Sequence, residues 1–389
     1  AGRGATMCSG ESEGELPESE VVRRVALDIG SNASKCVIAD VDLASGSILA
    51  TLHAAEVPCS FAVAWKASPD GSLGPPVLEQ GLRVLNAFAR KATALGATQK
   101  AAIATEVFRK AKNGGEYLAR VRDELGLHVQ LVDQEMEARL GFLTAAAYGC
   151  VDRSALISWD SGGASFQFST IDNESSGTAG SRATRLPRLK NYLGALGVGV
   201  ATCICVEAIQ LRSFAENPSP NPMGPDDATK LVSHLQAQLP PPPGWLVGSR
   251  SVVAIGGPNS MFALAASLAL GPDAIVTGGT ICPAQVWEQV ESLSGLSDED
   301  LANRQAAAAC LSAQPGAAST APSPAVAGGN IPLVSDPPSF VLPKLCLLYA
   351  VLDFLQLSSL FFQPAIGSCA GMLVEETLWE TPVNVMREE

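Results

Sequence analysis

Two stretches of the chain decide its reading: VALDIGSNASKCVIADVD at 25–42 and ISWDSGGASFQFS at 157–169. Each opens with a short apolar run that ends on an aspartate, Asp28 or Asp160. It then turns through glycine and small polar residues and resumes an apolar run. A β-branched run punctuated in this way reads as strand, tight turn, strand. After the first unit, Ala44-Ser45-Gly46 turns into a further strand, so strands at 25–29, 35–41 and 47–52 form an antiparallel meander. Two such units point to an internal duplication.

Helical and strand patterns alternate behind each unit. Leu78, Leu82, Leu85 and Ala89 lie at helical spacing in a helix over 77–95, and Gly96 stops it. A strand follows at 100–104. Thr105 caps a helix carrying Arg109, and Asn113 caps another that ends at Gly126. A strand at 128–132 precedes a helix capped by Asp133 and running to about Gly149. The second half continues with an apolar stretch at 197–211, a helix at 226–238, a strand at 252–255 entering Gly256-Gly257, and a helix at 259–270. The order predicts an α/β protein of two similar halves, each a mixed sheet with flanking helices. The expected organisation is a disordered acidic tail at 1–22, a first domain at 23–150 and a second at 151–389. A disordered Ala/Pro-rich insertion is expected at 306–330.

Composition narrows the function. Of 389 residues, 39 are Asp or Glu and 26 Lys or Arg, a net charge of −13, which disfavours non-specific nucleic-acid binding. Charge is nonetheless segregated. From Arg83 to Arg122, nine basic residues face two acidic ones, a local +7, and Arg182, Arg185, Arg188 and Lys190 form a second basic patch. These are solvated faces or a track for a polyanion. Three scattered histidines exclude a multi-histidine metal cage, and the ten cysteines read as thiols of a reducing compartment. Such thiols point to an intracellular setting, the cytosol first; the chain opens on Ala1, and an organelle is the alternative if a targeting peptide was removed. The apolar stretch at 341–362 is interrupted by Lys344, Asp353 and Gln356. A mid-span charge costs about 2.5–3.5 kcal/mol, so a buried helix running into a strand is expected there, and no membrane span.

The chemistry suggested by the residues alone centres on the repeated turn. A strand delivers a carboxylate to the mouth of a turn whose backbone N–H groups, at Gly30-Ser31-Asn32 or Gly162-Gly163-Ala164-Ser165, are unobstructed. Such a place holds phosphate oxygens, with the carboxylate taking a divalent metal or orienting water. A plain Asp/Gly hairpin is the alternative. Gly256-Gly257 adds a third turn of the same kind. Glu137 lies in the first turn of the helix after Asp133, where it complements the helix dipole or reaches a cleft. The P-loop, nucleophile-elbow and dinucleotide glycine motifs are absent from the sequence.

With these segments, AIATEVFRKAKN at 102–113, VDQEMEARLGFLTA at 132–145 and AIGGPNSMFALA at 254–265, the chain resembles the exopolyphosphatase / guanosine pentaphosphate phosphohydrolase (Ppx/GppA phosphatase) family of the actin-like ATPase superfamily. The resemblance implies two actin-like, ribonuclease H-like domains around a cleft. It implies hydrolysis of the terminal phosphate of inorganic polyphosphate or guanosine pentaphosphate, with Mg²⁺ or another divalent cation, and allows a homodimer. It gives Glu137 the role of positioning the attacking water and Arg109 that of gripping the substrate phosphate. Asp160 would lie by the metal and the terminal phosphate. Asp28, Gly30, Ser31 and Asn32 would form the first phosphate turn, Gly162, Gly163 and Ser165 the second, and Gly256 and Gly257 the late one. The chain departs from the family at Gln167, where a metal-holding glutamate is expected, and at Phe166 and Pro258. It departs again over 363–371, where an acid and an arginine are missing. Gln cannot act as a base or offer a full charge. A hydrolase is therefore one reading, and a catalytically weakened relative that binds phosphate polymers or nucleotides as a sensor or scaffold is the other. An actin-like sugar kinase fits the fold but not the Glu-Ala-Arg helix.

Overall fold

A computed structural model describes residues 20–149, 151–173, 188–249, 252–312 and 337–379. The expected tail up to residue 19, Arg182, Arg185 and the insertion from residue 313 onward lie outside the described residues.

The first half runs β1 (Val21–Ile29), β2 (Ala33–Asp42), β3 (Ser47–Pro58), α1 (Phe61–Lys66), α2 (Pro75–Ala94), β4 (Gln99–Ala104), α3 (Glu106–Lys110), α4 (Gly114–Leu125), β5 (Val129–Leu131) and α5 (Gln134–Ala147). The second half opens with β6 (Ile157–Ser161), β7 (Phe166–Ile171), β8 (Leu189–Gly194), α6 (Val198–Ile204), α7 (Pro225–Gln238), β9 (Val252–Gly256) and α8 (Met261–Leu270). It continues with α9 (Ala274–Thr277), β10 (Gly279–Ile281), α10 (Pro283–Leu293), α11 (Asp298–Ser312), α12 (Val341–Phe354), β11 (Leu360–Pro364) and α13 (Cys369–Val374).

The strands form two sheets, ordered β3-β2-β1-β4-β5 and β10-β11-β9-β6-β7-β8. Read from β8, the second sheet repeats the first and adds β10 at its far edge. In each sheet the meander is antiparallel: β1 with β2 and β2 with β3, then β6 with β7 and β7 with β8. The later strands run parallel to the first, β4 beside β1 and β9 beside β6. The duplication suggested by the two Asp–Gly turns is thus a duplication of topology, and the fold is α/β of the actin-like kind.

Alternation explains the packing. Val25, Leu27 and Ile29 of β1 join Leu82, Leu85 and Phe88 of α2 in one core. Ala26 faces the other way, into a cluster with Leu140 of α5 and Cys369, Met372 and Leu373 of α13. A helix from late in the chain therefore covers the first sheet. Arg24 fastens it: its Nη1 donates to the Leu373 carbonyl at 2.7 Å, and its guanidinium lies 4.3 Å from the Trp379 ring centre. Helix α5 also serves both halves. Gln134 Nε2 donates to the carbonyls of Phe166 and Gly194, and Ser169 Oγ donates to the Ala138 carbonyl. A Cβ on Gly141 would stand 3.2 Å from Asp160 Cβ.

The structure differs from the sequence expectation in several places. β3 extends to Pro58, carried past the expected end at 52 by continuous pairing with β2 through register shifts at Ile38/Ala39 and Asp40/Val41. Helix α11 continues to Ser312, across the alanine run where the insertion is expected to begin, since alanine favours helix as strongly as any residue. The stretch 341–362 is the buried helix α12 followed by β11, and among the described residues no helix is long and apolar enough to cross a membrane. The basic stretch is partly neutralised. Arg120 pairs with Glu79 and Glu124, Lys110 with Glu106, and Lys190 of the second patch with Asp172.

Candidate active site

A cleft of about 340 Å³ opens between the two sheets, lined by all three glycine turns. The first two are built alike. Gly30 N donates to the Ala33 carbonyl and Gly162 N to the Ser165 carbonyl, each at 2.9 Å, closing the same three-residue step after each aspartate. The turns touch: a Cβ on Gly163 would lie 2.3 Å from Asn32 Nδ2, so only glycine lets them approach this closely. Two further bonds brace the second turn from behind, Val198 N to the Gly162 carbonyl at 3.2 Å and Gly199 N to the Gly163 carbonyl at 2.8 Å. The third turn follows β9 and leads through Ser260, whose hydroxyl caps α8 by accepting from Ala263 N.

Asp28, Asp160 and Glu137 all line this cleft. Burial pushes the Asp160 carboxyl up to about 6; Lys35 pulls it down, and Asp28 pushes it up again. Burial likewise raises Glu137 to about 7, against the stabilising pull of Arg109 and with the repulsion of Asp28 and Asp160. Asp28 is buried, and its Oδ1 has no hydrogen-bond partner. Asn32 Oδ1 and Ser161 Oγ are buried and unpartnered too. Polar atoms so placed await a ligand or water, because a buried donor or acceptor left unsatisfied costs about 1–3 kcal/mol.

The site residues expected from sequence mostly converge, with one change of setting. Asp28, Gly30, Ser31, Asn32, Glu137, Asp160, Gly162, Gly163, Ser165, Gln167, Gly256 and Gly257 all line the cleft. Arg109 does not. Its Nη1 pairs with Glu137 Oε1 at 2.8 Å and also donates to the Val132 carbonyl, so it reaches the site through Glu137. Glu106 is the α3 residue that lines the cleft instead. Phe166 turns into the aromatic core with Phe168 and Tyr192.

Sequence reading misses four charged residues in the cleft: Lys35, Glu56, Glu106 and Lys344. A signal for the first is available. Lys35 pairs across the hairpin with Asp28, and Gln167 occupies the same register opposite Asp160. The cross-strand partner of each aspartate is thus a lysine in one half and a glutamine in the other. Lys35 Nζ stands 3.7 Å from Asp28 Oδ2. Burial opposes its charge, but Asp28, Glu56 and Asp160 outweigh burial and raise its pKa. Gln167 is buried and turns its amide nitrogen to Ser165 Oγ at 3.0 Å. Among the described residues, no group of three or more His, Cys, Asp or Glu is placed to hold a metal by itself.

The sequence and the fold have counterparts among known proteins. The pattern of the Ppx/GppA phosphatase family matches residues 37–191. Exopolyphosphatase 1 of Mycobacterium tuberculosis is 29% identical over 159 residues, covering 39% of this chain and 44% of that protein. The chain thus aligns with less than half the length of that curated relative. The structure of the Aquifex aeolicus Ppx/GppA family member matches with a TM-score of 0.62 at 19% identity, covering 92% of this chain and 98% of that one. An exopolyphosphatase from Cytophaga hutchinsonii matches at 0.61 and 14%, covering 90% and 97%. An exopolyphosphatase-like protein matches at 0.66 and 15%, covering 92% and 98%. At these identities the structures speak for the fold. Over residues 37–191 the chain is similar in sequence to the Ppx/GppA phosphatase family, and over most of its length it shares the fold of solved proteins of that family.

Proposed function

We propose that this protein hydrolyses phosphoanhydrides, releasing the terminal phosphate of inorganic polyphosphate or guanosine pentaphosphate. The observation that carries the reading is the apposition of two equivalent Asp–Gly turns with the raised carboxyl of Glu137 facing the same cleft. The terminal phosphate would lie between the turns, its oxygens on the backbone N–H groups of 30–32 and 162–165. Phosphoryl transfer needs positioning and charge neutralisation more than covalent help. Glu137 would orient the attacking water and accept its proton. A base with a pKa near the working pH combines availability with proton affinity, and about 7 meets that condition. Arg109 holds the Glu137 carboxylate in place, and Lys35 offsets the charge of Asp28 and Asp160.

The residues fit Mg²⁺ of the kind that keeps most of its shell as water and substrate phosphate and takes one or two protein carboxylates. Asp28, whose Oδ1 is unpartnered, and Asp160 would hold it. Gln167 would add at most a neutral carbonyl oxygen. When bound, the ion would neutralise charge on the phosphate oxygens. Lys35 and Gln167, standing at equivalent positions beside the two aspartates, also favour the second reading, a binder with little turnover. Phosphate release from polyphosphate and from guanosine pentaphosphate, with and without Mg²⁺, tests the two. Release that depends on Glu137 supports the hydrolase, whereas tight binding without release supports the binder.

A further inference from the structure

We infer that Glu56 is a specificity-determining residue that keeps phosphate off the third glycine turn, so that substrate phosphates are held at the first two. The identity of the ligand rests on the function proposed above. The placement of Glu56 does not.

Glu56 belongs to β3 of the first sheet but lies against the second half of the molecule. A Cβ on Gly257 would fall 2.0 Å from Glu56 Oε2, so the carboxylate rests on the backbone of the third turn. Glu56 is 8% exposed, its Oε2 is buried without a hydrogen-bond partner, and its Oε1 is 3.4 Å from Asn259 Nδ2. The first two turns carry no carboxylate so close: Asp28 Oδ1 would be 3.9 Å from a Cβ on Gly30, and the side chain against Gly163 is the neutral amide of Asn32. The nearest atom to a Cβ on Gly30 would be the Ala33 carbonyl oxygen at 3.0 Å, and on Gly162 the Ser165 carbonyl oxygen at 4.0 Å, both within their own turns.

Two lysines flank the carboxylate, and Glu56 favours the charged form of each, although burial brings the Lys344 amine down to about 7. Lys35 is the cross-strand partner of Glu56 on β2. Lys344 is 4% exposed on the otherwise apolar first turns of α12, and its Nζ donates to the Asn259 carbonyl. A lysine in such a helix has a physical reason if it balances Glu56, because an uncompensated buried charge is strongly destabilising. The third turn therefore already holds a carboxylate with two lysines beside it. Phosphate arriving there would meet a fixed negative charge at contact distance, and Pro258 has removed one N–H that would have received it.

The experiment measures binding of inorganic tripolyphosphate and pyrophosphate by calorimetry to the full chain, Glu56→Gln and Glu56→Ala, with thermal melts to establish folding. Glu56→Gln keeps the shape and removes the charge. It should bind tripolyphosphate at least tenfold more tightly than the parent, with a distinctly smaller gain for pyrophosphate, which the first two turns suffice to hold. Adding Lys344→Met to Glu56→Gln should abolish the gain, because Lys344 is then the cation that the third phosphate would meet. Should Glu56→Gln not fold, Glu56→Ala makes the same comparison. Unchanged or weaker tripolyphosphate binding by a folded variant would overturn the inference, as would equal gains for both ligands or a gain that survives Lys344→Met. Phosphate release is recorded separately. Its absence from parent and variants alike counts against the hydrolase, while the binding ratios still decide the role of Glu56.

Discussion

Replacing Glu137 by glutamine separates chemistry from stability. Burial raises the Glu137 carboxyl from 4.5 to about 7 in the folded protein, with Arg109 opposing and Asp28 and Asp160 adding to the rise. A raised folded pKa means that the native state binds the proton more tightly than the unfolded chain. The contribution of Glu137 to stability is therefore greatest below about 4.5, falls as pH rises toward about 7, and is flat above. At about 1.4 kcal/mol per pH unit, the span from 4.5 to about 7 corresponds to about 3 kcal/mol. A glutamine side chain at this position would be neutral at every pH and still accept from Arg109, so it escapes that loss. Glu137→Gln should match the parent near pH 4.5 and exceed it at pH 8 by up to about 3 kcal/mol, or ~5 °C and more in melting temperature. Asp160 titrates in both proteins, so the difference between their stability curves reports Glu137 together with its repulsion of Asp160. Phosphate release should fall at least ~10²-fold, the scale of a lost positioned base. The assay is a series of denaturant titrations from pH 4.5 to 8 beside phosphate release at pH 8. Parallel stability curves together with unchanged turnover would refute both the electrostatic account and the catalytic role.

Three further outcomes are expected. Arg109→Met removes the cation that holds Glu137 down, so the acid limb of the pH–rate profile should move up by about one pH unit; an unmoved limb would separate the two residues. Gln167→Glu places a third carboxylate beside Asp160 and Asp28, which should lower the melting temperature in chelator and reduce the half-saturating Mg²⁺ concentration ~10-fold, both read by thermal melts with added metal. Gly163→Ala drives a methyl into Asn32 and parts the two turns, which should cut phosphate release ~10-fold or more; the double variant with Asn32→Ala should recover part of the loss, as measured by the same assay.

How much of this is legible in the sequence varies with the range of the interaction. The Asp28 and Asp160 units are readable because a strand of period two that stops at glycine is a local pattern. The duplicated sheet order follows from reading that pattern twice. β3 outruns its own pattern because residues 53–55 break the alternation, and Glu56, whose partners lie near residues 257–259, is hidden with its far end. Lys344 shows in the sequence only as an interruption of an apolar run, since nothing near it along the chain reveals a cleft. Resemblance supplies both Arg109 and Glu137, but not that they pair across 28 residues, which gives the arginine a different setting from the one expected. The short α1 is equally silent, as its six residues are too few to show the apolar spacing of a long helix.

The place of α13 bears on how the chain is made. The first sheet is complete in sequence by residue 131, yet the face holding Ala26, Val37 and Ile103 is covered by Cys369, Met372 and Leu373. A ribosome must therefore synthesise the entire second half before that apolar surface can be sealed. Until then the emerging first half carries an open hydrophobic face, the condition under which nascent chains aggregate or recruit chaperones. Arg24 waits with it, since its partners Leu373 and Trp379 are among the last described residues to leave the tunnel.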